Sequence, residues 1–166
     1  SKLLIAAAEA AHSIEMAPAF GVHSSKPRID GKAVMARVKS ERDRFAGFVV
    51  EAVDDIPDED KIRGYAKFLD ANRVQIDDDI IITAKRFVIA TGSRPSYPGV
   101  FNNFGDKLII NDDVFNWDDL PESVAVFGPG VIGLEIGQAL SRLGVNVKLF
   151  GVGGAIGPLT DPVIKD

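Results

Sequence analysis

Apolar and polar positions along the chain change period three times. Leu3, Leu4, Ala7, Ala11 and Ile14 recur at helical spacing behind Ser1, a natural N-cap, and predict a helix over 1–15. Pro18, Gly21, Ser24, Ser25 and Pro27 mark a loop. Asp30 then caps a second predicted helix over 31–54, with the apolar stripe Val34, Val38, Phe45, Val49 and Ala52. Lys32, Arg37, Lys39, Arg42 and Glu51 lie mostly off that stripe, and Asp54, Asp55 and Pro57 end it. From Lys61 the period falls to two. This predicts a β-meander over 61–91 with strands at Ile62–Leu69, Arg73–Ile76, Ile80–Thr83 and Phe87–Thr91, turning at Asp70–Asn72 and Asp77–Asp79. Residues 92–120 are rich in turn formers around one short predicted strand, Leu108–Ile110.

The pattern is sharpest from Val124 to Phe150. An apolar run ending at Phe127 meets Gly128, Gly130 and Gly133 in the spacing G-x-G-x-x-G, then a helix-period segment, Gly144, and a second apolar run, Val145 to Phe150. The glycine triad alone is a weak signal. Between two strands and ahead of a helix it specifies a dinucleotide-binding βαβ unit. Gly128 permits the sharp turn out of the strand, Gly130 lets a pyrophosphate approach the backbone, and Gly133 lets the helix lie close on the sheet. The free N–H groups of the helix's first turn, at Val131, Ile132 and Gly133, then face the phosphates. The competing reading is a tight strand-to-helix turn that binds nothing.

Composition narrows the function classes. With 166 residues the chain holds one to two domains and enough material for a core. A net charge of −5 disfavours nucleic acid or an anionic membrane as partner. No uncharged apolar run reaches the roughly 18–20 residues of a membrane span, and no export signal stands at the N-terminus, so a cytoplasmic setting is expected. Without any cysteine the chain itself has no disulfide, thiolate metal site or cysteine nucleophile. The run Asp77-Asp78-Asp79 reads as a solvated turn rather than a metal site, since calcium loops need a longer ligand series. His12 and His23 have no carboxylate or second ligand near them in sequence and read as structural or surface residues. Trp117 reads as a packing anchor.

Four blocks together resemble one family. Ser1-Lys2 followed by LLIAAAEA is similar to the end of a C-x-x-x-x-C-x-P-S-K redox motif and the helix behind it. Gly64-Tyr65-Ala66-Lys67-Phe68 is similar to a segment touching a flavin's adenine. Ala90-Thr91-Gly92-Ser93-Arg94-Pro95 is similar to an A-T-G-S-x-P element closing an FAD domain. Gly128-Pro129-Gly130-Val131-Ile132-Gly133-Leu134-Glu135 is similar to a G-G-G-x-I-G-x-E pyridine-nucleotide loop. In this order they resemble the FAD-dependent pyridine nucleotide–disulfide oxidoreductases, and among those most the dihydrolipoamide dehydrogenases.

The resemblance implies an α/β fold: residues 1–120 as the C-terminal part of an FAD-binding domain, with 92–120 as linker, and 121–166 as the first Rossmann βαβ unit of an NAD(P)-binding domain. It implies an internal fragment of a homodimeric flavoenzyme. Electrons would pass between a pyridine nucleotide and a small-molecule or lipoyl-protein dithiol/disulfide, and the fragment alone would be inactive. It implies FAD contacts at Lys2, Tyr65, Ala66, Thr91 and Gly92, and a catalytic pair of Lys2 with Glu135 beside the flavin. Glu135, on the flank of the stripe Ile132, Ile136, Ala139 and Leu143, is costly to desolvate without a partner such as Lys2. The nucleotide would lie on Gly128 to Gly133 and reach Gly151. There the sequence departs from the family pattern: Gly151 stands where NAD enzymes carry Asp or Glu, and Gly151–Gly157 contains no Arg for NADP either. NAD is expected, with NADP open. Glutathione- or mercuric-reductase-like enzymes and soluble transhydrogenases share the four blocks, and a non-catalytic nucleotide-binding module is the rival outside enzymes.

Overall fold

The computed structural model describes residues 1–152 and Gly157. It is mixed α/β and divides into two compact units, one of residues 1–45 with 95–166 and one of residues 46–94.

In the first unit, α1 (Lys2–Met16) packs against α3 (Val131–Arg142), and Arg142 joins Glu9 across them at 2.7 Å. Leu4, Ala8 and Ala11 of α1 meet Ile136, Ala139 and Leu140 of α3 in one buried cluster with Met35, Val38, Val114, Leu143 and Val145. Small alanines at helical spacing allow two helices to approach this closely. The core therefore lies between helices, with Val124 and Val147 of the strands packed against it. Trp117 is also packed on this cluster, as its setting among polar neighbours suggested.

The strands β4 (Ser123–Phe127) and β5 (Asn146–Phe150) run parallel, paired from Ser123↔Asn146 to Phe127↔Phe150. With α3 between them they form the expected βαβ unit. α2 (Gly31–Asp54) begins in this unit, and the Ala33 N–H donates to Asp30 Oδ1 at 3.0 Å, the expected N-cap bond. Arg42 of α2 donates to Phe115 O at 2.8 Å and Asn116 Oδ1 at 2.6 Å, and Lys39 pairs with Asp118, fixing the connecting segment to the helix.

The second unit is built on an antiparallel meander of β1 (Ala66–Asp70), β2 (Arg73–Ile76) and β3 (Ile80–Thr83). The register runs Ala66↔Ile76 and Arg73↔Thr83, with an irregularity between Phe68 and Asp70. Val74 and Ile76 of the central strand are its buried residues. Phe68 and Phe87 meet edge-to-face with centroids 5.2 Å apart.

Several expectations are corrected. Phe87–Thr91 and Leu108–Ile110 are not strands, and β1 starts at Ala66 rather than Ile62. An apolar alternation makes a segment able to pair, but a ladder needs a neighbour, and no described strand lies beside either segment. Val88, at 92% exposure, is not held on a sheet face. In α2 only the first half of the stripe is covered: Val38 is buried, whereas Phe45 and Val49 are exposed. Helical period tells which side chains share a face and not whether anything covers that face.

Candidate functional site

The turn from β4 into α3 is tightly constrained at two of its three glycines. The Gly128 N–H donates to Phe150 O at 2.9 Å, extending the parallel ladder one step beyond the strand. The chain then reverses at Gly128 with φ +108°, a region that side-chain-bearing residues rarely adopt. Gly133 is required for a different reason: a Cβ there would run into the Gly128 carbonyl oxygen, with Val126 Cγ1 also at 3.4 Å. The helix thus starts pressed against the turn that feeds it. At Gly130 the opposite holds, since nothing among the described residues lies within 4 Å of where its Cβ would be.

Helix α3 starts at Val131 with Gly130 as N-cap and no side-chain cap bond. The first intrahelical bond is Leu134 N–H to Gly130 O at 2.9 Å. The amides of Val131, Ile132 and Gly133 therefore stand in the uncapped first turn, beside the open space at Gly130. Val131 and Ile132 are exposed there. Pro129 is half-buried, and its carbonyl accepts the Gly157 N–H at 2.6 Å. The carboxyl ends of both strands are marked by stacked rings, Phe127 on Phe150 at 5.1 Å, with Phe101 on Phe127 at 4.8 Å. Gly151 follows directly and is exposed. Of the uncharged stretch beyond it, 153–156 lies outside the described residues, as does 158–166.

Over residues 1–166 the chain fits the pyridine nucleotide-disulphide oxidoreductase family. The chain belongs to that family. It is 30% identical over 154 residues to a mercuric reductase of Lysinibacillus sphaericus, covering 90% of this chain and 27% of that protein. It is 30% identical over 173 residues to a dihydrolipoyl dehydrogenase of Chlamydia muridarum, covering 99% and 36%. A soluble pyridine nucleotide transhydrogenase of Hahella chejuensis is 32% identical over 111 residues, covering 64% and 24%. The chain thus spans about a quarter to a third of the length of these relatives.

Against the family pattern, the remaining expected site residues fall as follows. Glu135, on α3, is exposed, so the desolvation cost expected of it does not arise. Its Oε2 accepts a hydrogen bond from the Ser1 hydroxyl at 3.2 Å, and Ser1 makes no side-chain cap on α1. Lys2, in the first turn of α1, is exposed and forms no ion pair with Glu135 among the described residues. The start of α1 and Glu135 are therefore brought together, through the neighbour of the residue expected. Nothing in an N-cap pattern distinguishes a serine that caps its own helix from one that reaches another.

In the second unit, the backbone of Tyr65 is already engaged. Its N–H donates to Asp77 Oδ1 at 2.8 Å and its carbonyl accepts the Asp77 N–H at 3.0 Å, while the residue as a whole is 81% exposed. Ala66 begins β1 opposite Ile76. Thr91 and Gly92 are exposed, with Gly92 at φ +72°. Asp77 is the residue that sequence reading passed over. Its signal was the triple-Asp turn, in which local pattern does not say which acid turns back on the strand.

No helix among the described residues is long and apolar enough to cross a membrane.

Proposed function

We propose that this chain is the part of a flavoprotein disulfide reductase, dihydrolipoyl dehydrogenase-like, that receives a pyridine nucleotide on the turn Gly128–Gly133 and contacts FAD. The observation that carries the reading is the pairing of Gly133 seated against the Gly128 carbonyl with open space at Gly130. A turn serving only to reverse the chain needs the first feature and not the second. The amides of Val131, Ile132 and Gly133 would hold the pyrophosphate, with the dipole of α3 behind them. Gly151 would line the ribose through its backbone. Gly151–Gly157 carries neither the acid of NAD enzymes nor an Arg for a 2′-phosphate; we assign NAD as the nucleotide, with NADP as the alternative outcome of the test.

FAD, when bound, supplies the two-electron chemistry that links nicotinamide to a dithiol/disulfide. This chain's residues supply position and charge. Tyr65, Ala66, Thr91 and Gly92 would hold the flavin nucleotide. Lys2 would place a cation, and Glu135 an acid, near the reacting ring; the Ser1–Glu135 bond supports the approach of α1's first turn to that carboxylate. In this reading residues 1–120 close an FAD domain and 121–166 open the nucleotide domain of a longer, homodimeric, cytoplasmic enzyme acting on lipoamide or a lipoyl-protein. The chain alone then binds without turning over. Mercuric reductase at the same 30% identity supports a second reading, a related reductase of another substrate.

Steady-state assay of the full-length protein with NADH and NADPH against lipoamide and glutathione disulfide separates these. NADH with lipoamide is the expected productive pair. Turnover of glutathione disulfide with NADPH instead would replace the first reading by the second.

A further inference from the structure

The acid run 77–79 carries more than a turn. Among the described residues Asp77 alone has a positive φ without being glycine, at 47°. Aspartate is one of the few side chains that tolerate this region, and even there it is held only where the surroundings require it. What holds it is Tyr65: one residue of the β2–β3 turn bonds both backbone polar groups of the residue just before β1, through its N–H and through its carboxylate. Gly64 completes the arrangement. A Cβ at that position would collide with Ile76 Cγ2 and with the Asp77 carboxylate, so the Gly64–Tyr65 backbone lies flat on its neighbour. Above this fixed backbone the phenol ring of Tyr65 stands in solvent. A rigid mount under an exposed flat ring lowers the ordering cost that a flexible strand end would incur on stacking with a ligand.

We propose that Asp77 is a positioning residue, which locks the Gly64–Tyr65 backbone and so presents the Tyr65 ring as a stacking surface for a flat heteroaromatic ring of the adenine class. This rests on the FAD reading above, in which the adenosine end of the flavin nucleotide lies at Tyr65 and Ala66.

The test uses the full-length protein, stripped of flavin and titrated with FAD and with FMN, which lacks the adenosine. Asp77→Gly adopts the left-handed backbone freely and removes only the carboxylate. It is expected to raise the Kd for FAD about tenfold, the lower range of a base–aromatic stack, with the Kd for FMN unchanged. Asp77→Asn, whose amide oxygen still accepts the Tyr65 N–H, is expected to stay within about threefold of wild type. Tyr65→Leu removes the ring and leaves the mount, and should match Asp77→Gly; it carries the test if Asp77→Gly fails to fold. Equal losses for FAD and FMN, or unchanged FAD affinity, in these variants overturn the proposal while leaving the FAD reading intact. A wild-type protein that binds no flavin overturns both.

Discussion

Replacing Gly133 with alanine tests the seat of the candidate nucleotide turn, because local and tertiary terms act in opposite directions there. Within a helix, glycine to alanine is favourable by about 1 kcal/mol. At Gly133 the added methyl meets the Gly128 carbonyl oxygen, backbone rather than a side chain that can swing aside, with Val126 Cγ1 at 3.4 Å behind it. Overpacking of this kind costs about 1–3 kcal/mol, and the rigid partner places it at the upper end. The net expectation is a loss of about 2 kcal/mol, or about 4–8 °C in Tm at this chain length. Gly137 supplies the internal control. It lies about one turn along the same helix, where a Cβ would meet Val147 Cγ1 at 3.6 Å, an ordinary contact. Gly137→Ala should therefore gain about 0.5–1 kcal/mol from propensity alone. Urea unfolding of both variants beside wild type, with m-values checked for constancy, measures the difference. If Gly133→Ala is as stable as wild type, or Gly137→Ala loses as much as Gly133→Ala, the wedge between helix and turn is not what the structure describes.

Two further outcomes follow from the same packing and charge pattern. Leu140, 1% exposed at the α1–α3 contact, should cost about 2–5 kcal/mol when truncated to alanine, read by urea unfolding; a loss under about 1 kcal/mol would mean that this cluster is not the core. The carboxyl of Asp118 is held below its ordinary value of 3.8 by the hydrogen bond from Lys39, Asp43 likewise by Arg42, and Asp70 by the Asn72 N–H and Arg73. A lowered folded pKa favours the charged form in the fold, so this stability is complete above the unfolded value and is lost as pH falls through the folded values below 3.8. Melting temperature followed from pH 6 to pH 3 should fall less steeply for Asp118→Asn than for wild type, by a small margin because all three groups are exposed; an equally steep fall would show that the Lys39 contact does not form in solution.

How much of this was legible in the sequence depends on how local each determinant is. The βαβ unit was legible because its glycine positions are steric necessities: Gly128 turns at positive φ and Gly133 has no room for a Cβ, each a requirement that spacing alone exposes. The strands Arg73–Ile76 and Ile80–Thr83 were legible because a tight turn pairs neighbours in sequence. Phe87–Thr91 and Leu108–Ile110 misled because their apolar residues state a capacity for pairing whose partner is not local. The exposed half of α2, at Phe45 and Val49, misled in the same way, since an amphipathic stripe does not name its cover. At the site, the expectation paired Glu135 with Lys2, whereas the bond the structure shows comes from the neighbouring Ser1 hydroxyl, a choice that no sequence pattern encodes. Asp77 was invisible as a holder of Tyr65 because its two bonds cross twelve residues and depend on one backbone angle.

The central claim is that the turn Gly128–Gly133 holds a dinucleotide through its open middle glycine. NADH titration of wild type and Gly130→Ala by calorimetry tests it most directly. The Gly130 backbone is unstrained and no described residue stands within 4 Å of its Cβ position, so the variant should melt within about 2 °C of wild type. Its methyl would nevertheless stand in the space assigned to the pyrophosphate, and the Kd for NADH should rise by at least about tenfold. Unchanged NADH affinity in a normally folded Gly130→Ala, or no NADH binding by wild type, would contradict the account.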